Sequence, residues 1–109
     1  MKLYVIDNDM YIVLFDGYIY MITYDYKYDL ITDKKTKVPS IDILPADRLT
    51  DILMDQLKYD DVTVKSIHRY KIFDVLPDDI IDLLAQYIPI DDIRAKIDYD
   101  KQLDMRYDD

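Results

Sequence analysis

Met10-Tyr11-Ile12-Val13-Leu14-Phe15-Asp16-Gly17-Tyr18-Ile19-Tyr20-Met21-Ile22-Thr23-Tyr24-Asp25-Tyr26-Lys27-Tyr28 decides the fold. Two runs rich in Tyr, Ile and Val flank Asp16-Gly17, residues that tolerate the positive φ of a tight primed turn, so the stretch predicts a β-hairpin. In the second run Tyr18, Tyr20, Ile22, Tyr24, Tyr26 and Tyr28 share one parity, while Thr23, Asp25, Lys27 and Asp29 take the other. One face is therefore expected to be aromatic and the other wet. The first run has no polar side, as a strand covered on both faces requires, and is placed at the centre of the sheet.

Working outward, Leu3 to Ile6 reads as a further strand joined through Asn8-Asp9, which makes a three-stranded antiparallel meander. Thr32 to Ser40, with Lys34, Lys35, Lys37 and Pro39, reads as a loop dividing a β-rich part (residues 1–38) from a mainly helical part (residues 39–109) of one domain. Beyond it, Pro45 precedes Leu49, Ile52, Leu53 and Leu57, the spacing of an amphipathic helix ending near Lys58. Val62 to Phe73 is expected to return to the sheet as one strand or two. Pro77-Asp78-Asp79 opens a second helix that Pro89 stops, and a third begins near Asp91-Asp92, its end weakened by Asp104, Asp108 and Asp109. The expected class is α+β, an N-terminal antiparallel meander packed against three C-terminal helices.

The chain has 109 residues, half of them hydrophobic, and no cysteine. That is one ordinary domain with no disulfide framework, thiolate metal site or cysteine nucleophile, and the cytoplasm is its expected location. No apolar run approaches a membrane span, because Asp16-Gly17 interrupts the longest. All 23 acidic residues are Asp, and the net charge is −9. That balance argues against nucleic acid or an anionic membrane as ligand and toward a partner with a basic surface.

Catalysis has little to work with: one His (His68), two Ser (Ser40 and Ser66), and no recognisable nucleophile–base spacing. No enzymatic activity, cofactor or metal is expected. Asp7-Asn8-Asp9 resembles the opening of a calcium loop but lacks the Gly and the closing Glu. The pairs Asp78-Asp79 and Asp91-Asp92 fit helix first turns, where carboxylates meet free N–H groups.

Two features point to recognition. Asp47, Asp51 and Asp55 stand at i, i+4, i+8, a carboxylate row whose spacing of about 6 Å resembles that of backbone phosphates. It supports the alternative reading of a nucleic-acid-mimicking inhibitor occupying the basic site of a DNA- or RNA-binding protein, although a solvated helix face produces the same row. The tyrosine stripe gives the other: helices covering Tyr18, Tyr20 and Ile22 would leave Tyr24, Tyr26 and Tyr28 as an exposed aromatic patch.

Leu76-Pro77-Asp78-Asp79-Ile80-Ile81-Asp82-Leu83-Leu84-Ala85-Gln86-Tyr87-Ile88-Pro89-Ile90-Asp91-Asp92-Ile93 resembles the opening of an F-box, within residues 76–97. The resemblance implies binding to a Skp-type adaptor of a cullin ubiquitin ligase, with Leu76, Pro77, Ile80, Ile81 and Leu84 as contacts. The family's basic, tryptophan-bearing third helix has no counterpart in Lys101 to Asp109. Truncated forms of this kind occur at the C-termini of poxvirus proteins, whose Asp-, Tyr- and Ile-rich style the chain also resembles. The sequence reading is thus a small acidic protein–protein interaction module, an adaptor or inhibitor of viral style acting on a host or cellular protein. An uncovered edge of the meander could also pair with itself and form a homo-oligomer.

Overall fold

The computed structural model describes residues 1–7, 10–58 and 62–104, apart from the side chains of Gln56 and Leu57. The described chain is α+β, with a five-stranded antiparallel sheet in its N-terminal part and helices toward the C-terminus. It divides into two compact units, Met1–Ile67 and His68–Asp109.

In the first unit, β1 (Lys2–Ile6), β2 (Met10–Phe15), β3 (Tyr18–Asp29), β4 (Lys34–Pro45) and β5 (Val64–Ile67) stand in the order β4-β3-β2-β1-β5. The expected hairpin forms at Asp16-Gly17, both at positive φ (51° and 81°), and β2 is the central strand. Tyr11, Ile12 and Val13 are buried in succession, so β2 is covered on both faces. The Asn8-Asp9 link and the Asp7-Asn8-Asp9 comparison fall on residues outside those described, as do Asp108 and Asp109. Asp7 itself adopts φ 51°, which a short polar side chain tolerates, and fastens β1 to the approach of β5. Its N–H donates to Thr63 O (3.1 Å) and its Oδ1 accepts from Thr63 N–H (2.9 Å).

Three expectations change. Thr32 to Ser40 is not a loop between a β-rich and a helical part: Leu30–Asp33 is a tight turn, and Lys34–Pro45 pairs residue for residue with β3, from Asp29↔Lys34 to Tyr18↔Pro45. Lysines and a proline look like loop residues, yet they also suit an edge strand, where Pro forfeits no ladder bond and Lys discourages further pairing. Val62–Phe73 gives only one short strand, β5, paired with β1. It is followed by a 3-10 turn (Arg69–Lys71) and α2 (Ile72–Val75). His68 ends that strand reading, because its Nδ1 accepts from Tyr70 N–H (3.2 Å) and so caps the turn. Finally, the wet face of β3 is wet only in part, since Ile19 and Met21 share its parity and Ile19 is fully buried.

That second face is where the helix of the first unit docks. Pro45 precedes a 3-10 turn (Ala46–Arg48) and α1 (Leu49–Leu57), as its position suits. Leu49, Ile52 and Leu53 pack against Ile6, Ile12 and Ile19. Each such buried side chain stabilises by about 1.5–3 kcal/mol.

In the second unit, α3 (Asp78–Leu84) starts after Pro77, and α4 (Ile90–Leu103) starts after Pro89. The expected starts hold. The first of these helices stops at Leu84, earlier than Pro89, in a short turn that keeps Ile88 buried. Ile72, Leu76, Ile80, Ile81, Leu84, Ile90 and Ile97 are the unit's other buried apolar residues. Arg69 pairs with Asp100, and the Tyr70 hydroxyl lies 3.4 Å from Asp100 O and 3.5 Å from Asp104 Oδ2, tying the 3-10 turn to the end of α4. Loss of solvent, then the nearby Asp104 charge, pushes the Tyr70 phenol above its ordinary range.

Candidate functional site: the β3–β4 arm

β2 accompanies β3 only as far as Met10↔Thr23, whereas β4 follows β3 all the way to Asp29↔Lys34. Residues 24–29 and 34–39 therefore form a two-stranded ribbon, extending about 20 Å beyond the wider sheet at 3.4 Å per residue. Two-stranded ribbons bury little of themselves, so their side chains stay available.

Parity assigns the two faces. Tyr24, Tyr26 and Tyr28 stand on one, opposite Pro39, Lys37 and Lys35 of β4. Lys37 Nζ lies 4.1 Å from the Tyr24 ring centre, and Lys35 Nζ 4.6 Å from that of Tyr26, so each lysine crosses the strand diagonal onto a ring face. Tyr26 and Tyr28 are 59% and 57% exposed, and Tyr24 is half-buried. Asp25, Lys27 and Asp29 occupy the other face.

The tip is apolar and held in shape. Leu30 and Ile31 are 86% and 94% exposed, the most exposed of the chain's large hydrophobic residues among those described. The Asp29 carboxylate accepts from Ile31 N–H (2.9 Å) and Thr32 N–H (3.4 Å), an Asx-type cap, and Asp33 supplies a positive φ of 56°. Those backbone donors, Ile31 first, hold the Asp29 carboxyl below the usual carboxylate range.

Charge is segregated as well. Residues 24–39 carry four lysines against three aspartates, a net +1 in a chain of −9. The ribbon's length of about 20 Å exceeds a Debye length of about 8 Å, so the tip is screened from the charges of the sheet it projects from. Where the arm meets the sheet, a cavity of about 220 Å³ is lined by Met10, Thr23, Tyr24 and Tyr26.

The other sequence-derived residues fare differently. Tyr20 and Ile22 are buried, as the aromatic stripe required, but Tyr18 is half exposed. Leu76, Ile80, Ile81 and Leu84 are buried and Pro77 half-buried, so the contacts that the F-box resemblance implies lie mostly out of a partner's reach. The carboxylate row is broken: Asp47 belongs to the 3-10 turn, only Asp51 and Asp55 lie on α1, and Asp55 pairs with Lys58 (3.3 Å). All three are exposed. Ser40 Oγ is engaged with Thr23 Oγ1 (3.3 Å). Among the described residues no group of three metal-ligating side chains converges, and no helix is long and apolar enough to cross a membrane.

Sequence reasoning missed the tip and the lysines. Leu30-Ile31 was legible as an apolar pair beside Asp29, a turn former, but reading Thr32–Ser40 as loop removed the strand that makes the pair a tip. No family model matches the chain, and neither a curated protein nor a solved structure matches it.

Proposed function

We propose that the chain is a protein-binding module, an adaptor or inhibitor, that recognises its partner through the tyrosine face of the β3–β4 arm. One observation carries this reading: Tyr26 and Tyr28 lie exposed on a ribbon projecting from the sheet. Aromatic side chains that stay in water on a pre-ordered element supply large contact area at little conformational cost, which is the profile of an interface anchor. Lys35 and Lys37 rim the rings and suit carboxylates on the partner.

The charge of the whole chain favours a basic partner, but the arm does not share that charge. The F-box-like segment would engage a Skp-type adaptor only after Ile80 and Leu84 left the interior, an opening of the second unit. The mimicry reading draws on Asp47, Asp51 and Asp55, of which one is already paired.

The test is affinity capture at low and high salt with the wild-type chain and with a Tyr26→Ala/Tyr28→Ala variant of unchanged circular dichroism. A single protein retained at high salt by the wild type and lost by the variant is the expected result. Retention by the variant, or capture only of basic proteins that wash off with salt and are lost with Asp51→Asn/Asp55→Asn, overturns the reading in favour of the acidic surface.

A further inference from the structure

The arm has two backbone edges, and only one of them is guarded. Along β4, Lys34, Lys35 and Lys37 place three charges within four residues. Pro39, opposite Tyr24, presents a ring nitrogen where a donor would be needed. The β3 edge is different. Phe15 and Tyr18 close a two-residue turn as a hydrogen-bonded pair, so even residues of β3 turn their N–H and C=O toward the β2 side. Gly17 O, of odd parity, accordingly accepts from Ala46 N–H on the β4 side (3.0 Å). Past the end of β2, the backbone groups of Tyr26 and Tyr28 face a side where no described strand pairs with them. The stretch holds no proline.

We propose that two copies of the chain join there, arm to arm and antiparallel, with Tyr28 on the two-fold axis. The occupant follows from the residues themselves, because the segment complements its own reverse in one register only. With Tyr26 on the axis, Asp29 of the second copy falls opposite Thr23, a place already taken by Met10. With Lys27 on the axis, Lys27 faces its own copy and Asp25 faces Asp29, like charges directly across a ladder. With Tyr28 on the axis, each Lys27 faces an Asp29 of the second copy, Tyr28 exchanges hydrogen bonds with Tyr28, and Tyr26 faces Leu30.

The same register finds a place for the tip. Leu30 of the second copy, the first turn residue after β3, arrives beside Tyr26, which places the Leu30–Asp33 turn next to Asp25. That is the mouth of the cavity lined by Met10, Thr23, Tyr24 and Tyr26. The contact is reciprocal, as a two-fold demands, and it covers the most exposed aliphatic residues of both chains. The guarded β4 edges remain outside the contact. Far smaller than a standard interface of about 1,600 Å², the contact gives a reversible, concentration-dependent dimer. It aligns the two tyrosine faces into one, but it does not depend on the partner reading, because Lys27 and Asp29 lie on the opposite face.

Sedimentation equilibrium of the full chain over a concentration series, with Lys27→Asp and Asp29→Lys, tests the arrangement. The wild type dimerises. Each variant alone places like charges across the axis and weakens association by roughly tenfold or more, and an equimolar mixture of the two restores it. A Tyr28→Cys variant, in a chain otherwise free of cysteine, oxidises to a linked dimer, because a hydrogen-bonded pair sets the Cα atoms about 5.5 Å apart; Lys35→Cys does not. A wild type that stays monomeric at millimolar concentration overturns the proposal, and so does a mixture no more associated than its components. Loss of heterologous capture with the dimer intact would instead sink only the partner reading.

Discussion

The two halves of β3 carry the same stripe of aromatic and aliphatic residues at even positions and meet opposite fates. In residues 18–23 the strand is paired on both sides, and Ile19, Tyr20 and Ile22 are buried. In residues 24–29 it keeps β4 but loses β2, and Tyr26 and Tyr28 lie open to water. The tyrosines do not mark the change; the positions between them do, turning from Ile19 and Met21 to Asp25, Lys27 and Asp29. Burial of a strand residue is set by which strands and layers stand beside it, and β2 is six residues long where β3 is twelve.

The sharpest way to break this comparison is truncation. Ile22→Ala, at a fully buried site, should lower stability by about 2–5 kcal/mol, whereas Tyr28→Ala should stay within about 0.5 kcal/mol. Urea unfolding followed by far-ultraviolet circular dichroism measures both, and equal losses would mean that the distal half is as deeply held as the proximal half.

Turn strain gives a smaller contrast. A Cβ on Gly17 meets no atom, so Gly17→Ala should cost only the strain of its φ of +81°, about 1–2 kcal/mol of global stability, because that turn sets the β2–β3 register. Asp33→Ala, strained in the same sense at the arm's tip, should disturb arm amides in a nuclear magnetic resonance spectrum and leave the unfolding midpoint in place.

Acid should separate the halves more gently. The folded carboxyl of Asp29 is depressed, so its cap is fully present above the ordinary aspartate value near 3.9 and is lost as pH falls through the lower folded value. As pH falls past the ordinary aspartate value and through the lower folded one, the Ile31 and Thr32 amides should shift and broaden while those of Tyr20 and Ile22 hold, and Asp29→Asn should abolish that response. Amides at Ile31 and Thr32 that ignore acid would remove the carboxylate from the turn. The smallest effect is expected of Lys37→Ala, which deletes one exposed ring contact of about 0.5–1 kcal/mol and should be visible mainly in the Tyr24 ring resonances.

Much of the fold was legible because its signals are local. Asp16-Gly17 announced the hairpin, an uninterrupted apolar run announced the central strand, and Pro77-Asp78-Asp79 and Asp91-Asp92 announced the helix starts, each through a constraint acting within a few residues. The fourth strand was not legible. Its lysines and Pro39 are the residues of a loop and equally those of a guarded edge, and only pairing with β3 distinguishes the two. The candidate site inherited that uncertainty: Tyr24, Tyr26 and Tyr28 were readable as a patch, but Lys35, Lys37 and the Leu30-Ile31 tip became part of it only when β4 ran antiparallel beside them. Conversely, Leu76, Ile80, Ile81 and Leu84 read as contacts and are buried, since a motif of apolar residues at helical spacing carries no information on whether water or protein meets that face.

The sequence by itself determined the Asp16-Gly17 turn, the parity of the tyrosine stripe, the helix starts and an all-aspartate acidity, because backbone sterics, side-chain period and ionisation are properties of neighbouring residues. Only the tertiary structure decided where β2 stops, that β4 is a strand, and that a chain of net charge −9 carries an arm of opposite sign. Those depend on pairing across the sheet, where distant segments share a hydrogen-bond ladder and one strand's length leaves another's side chains in water.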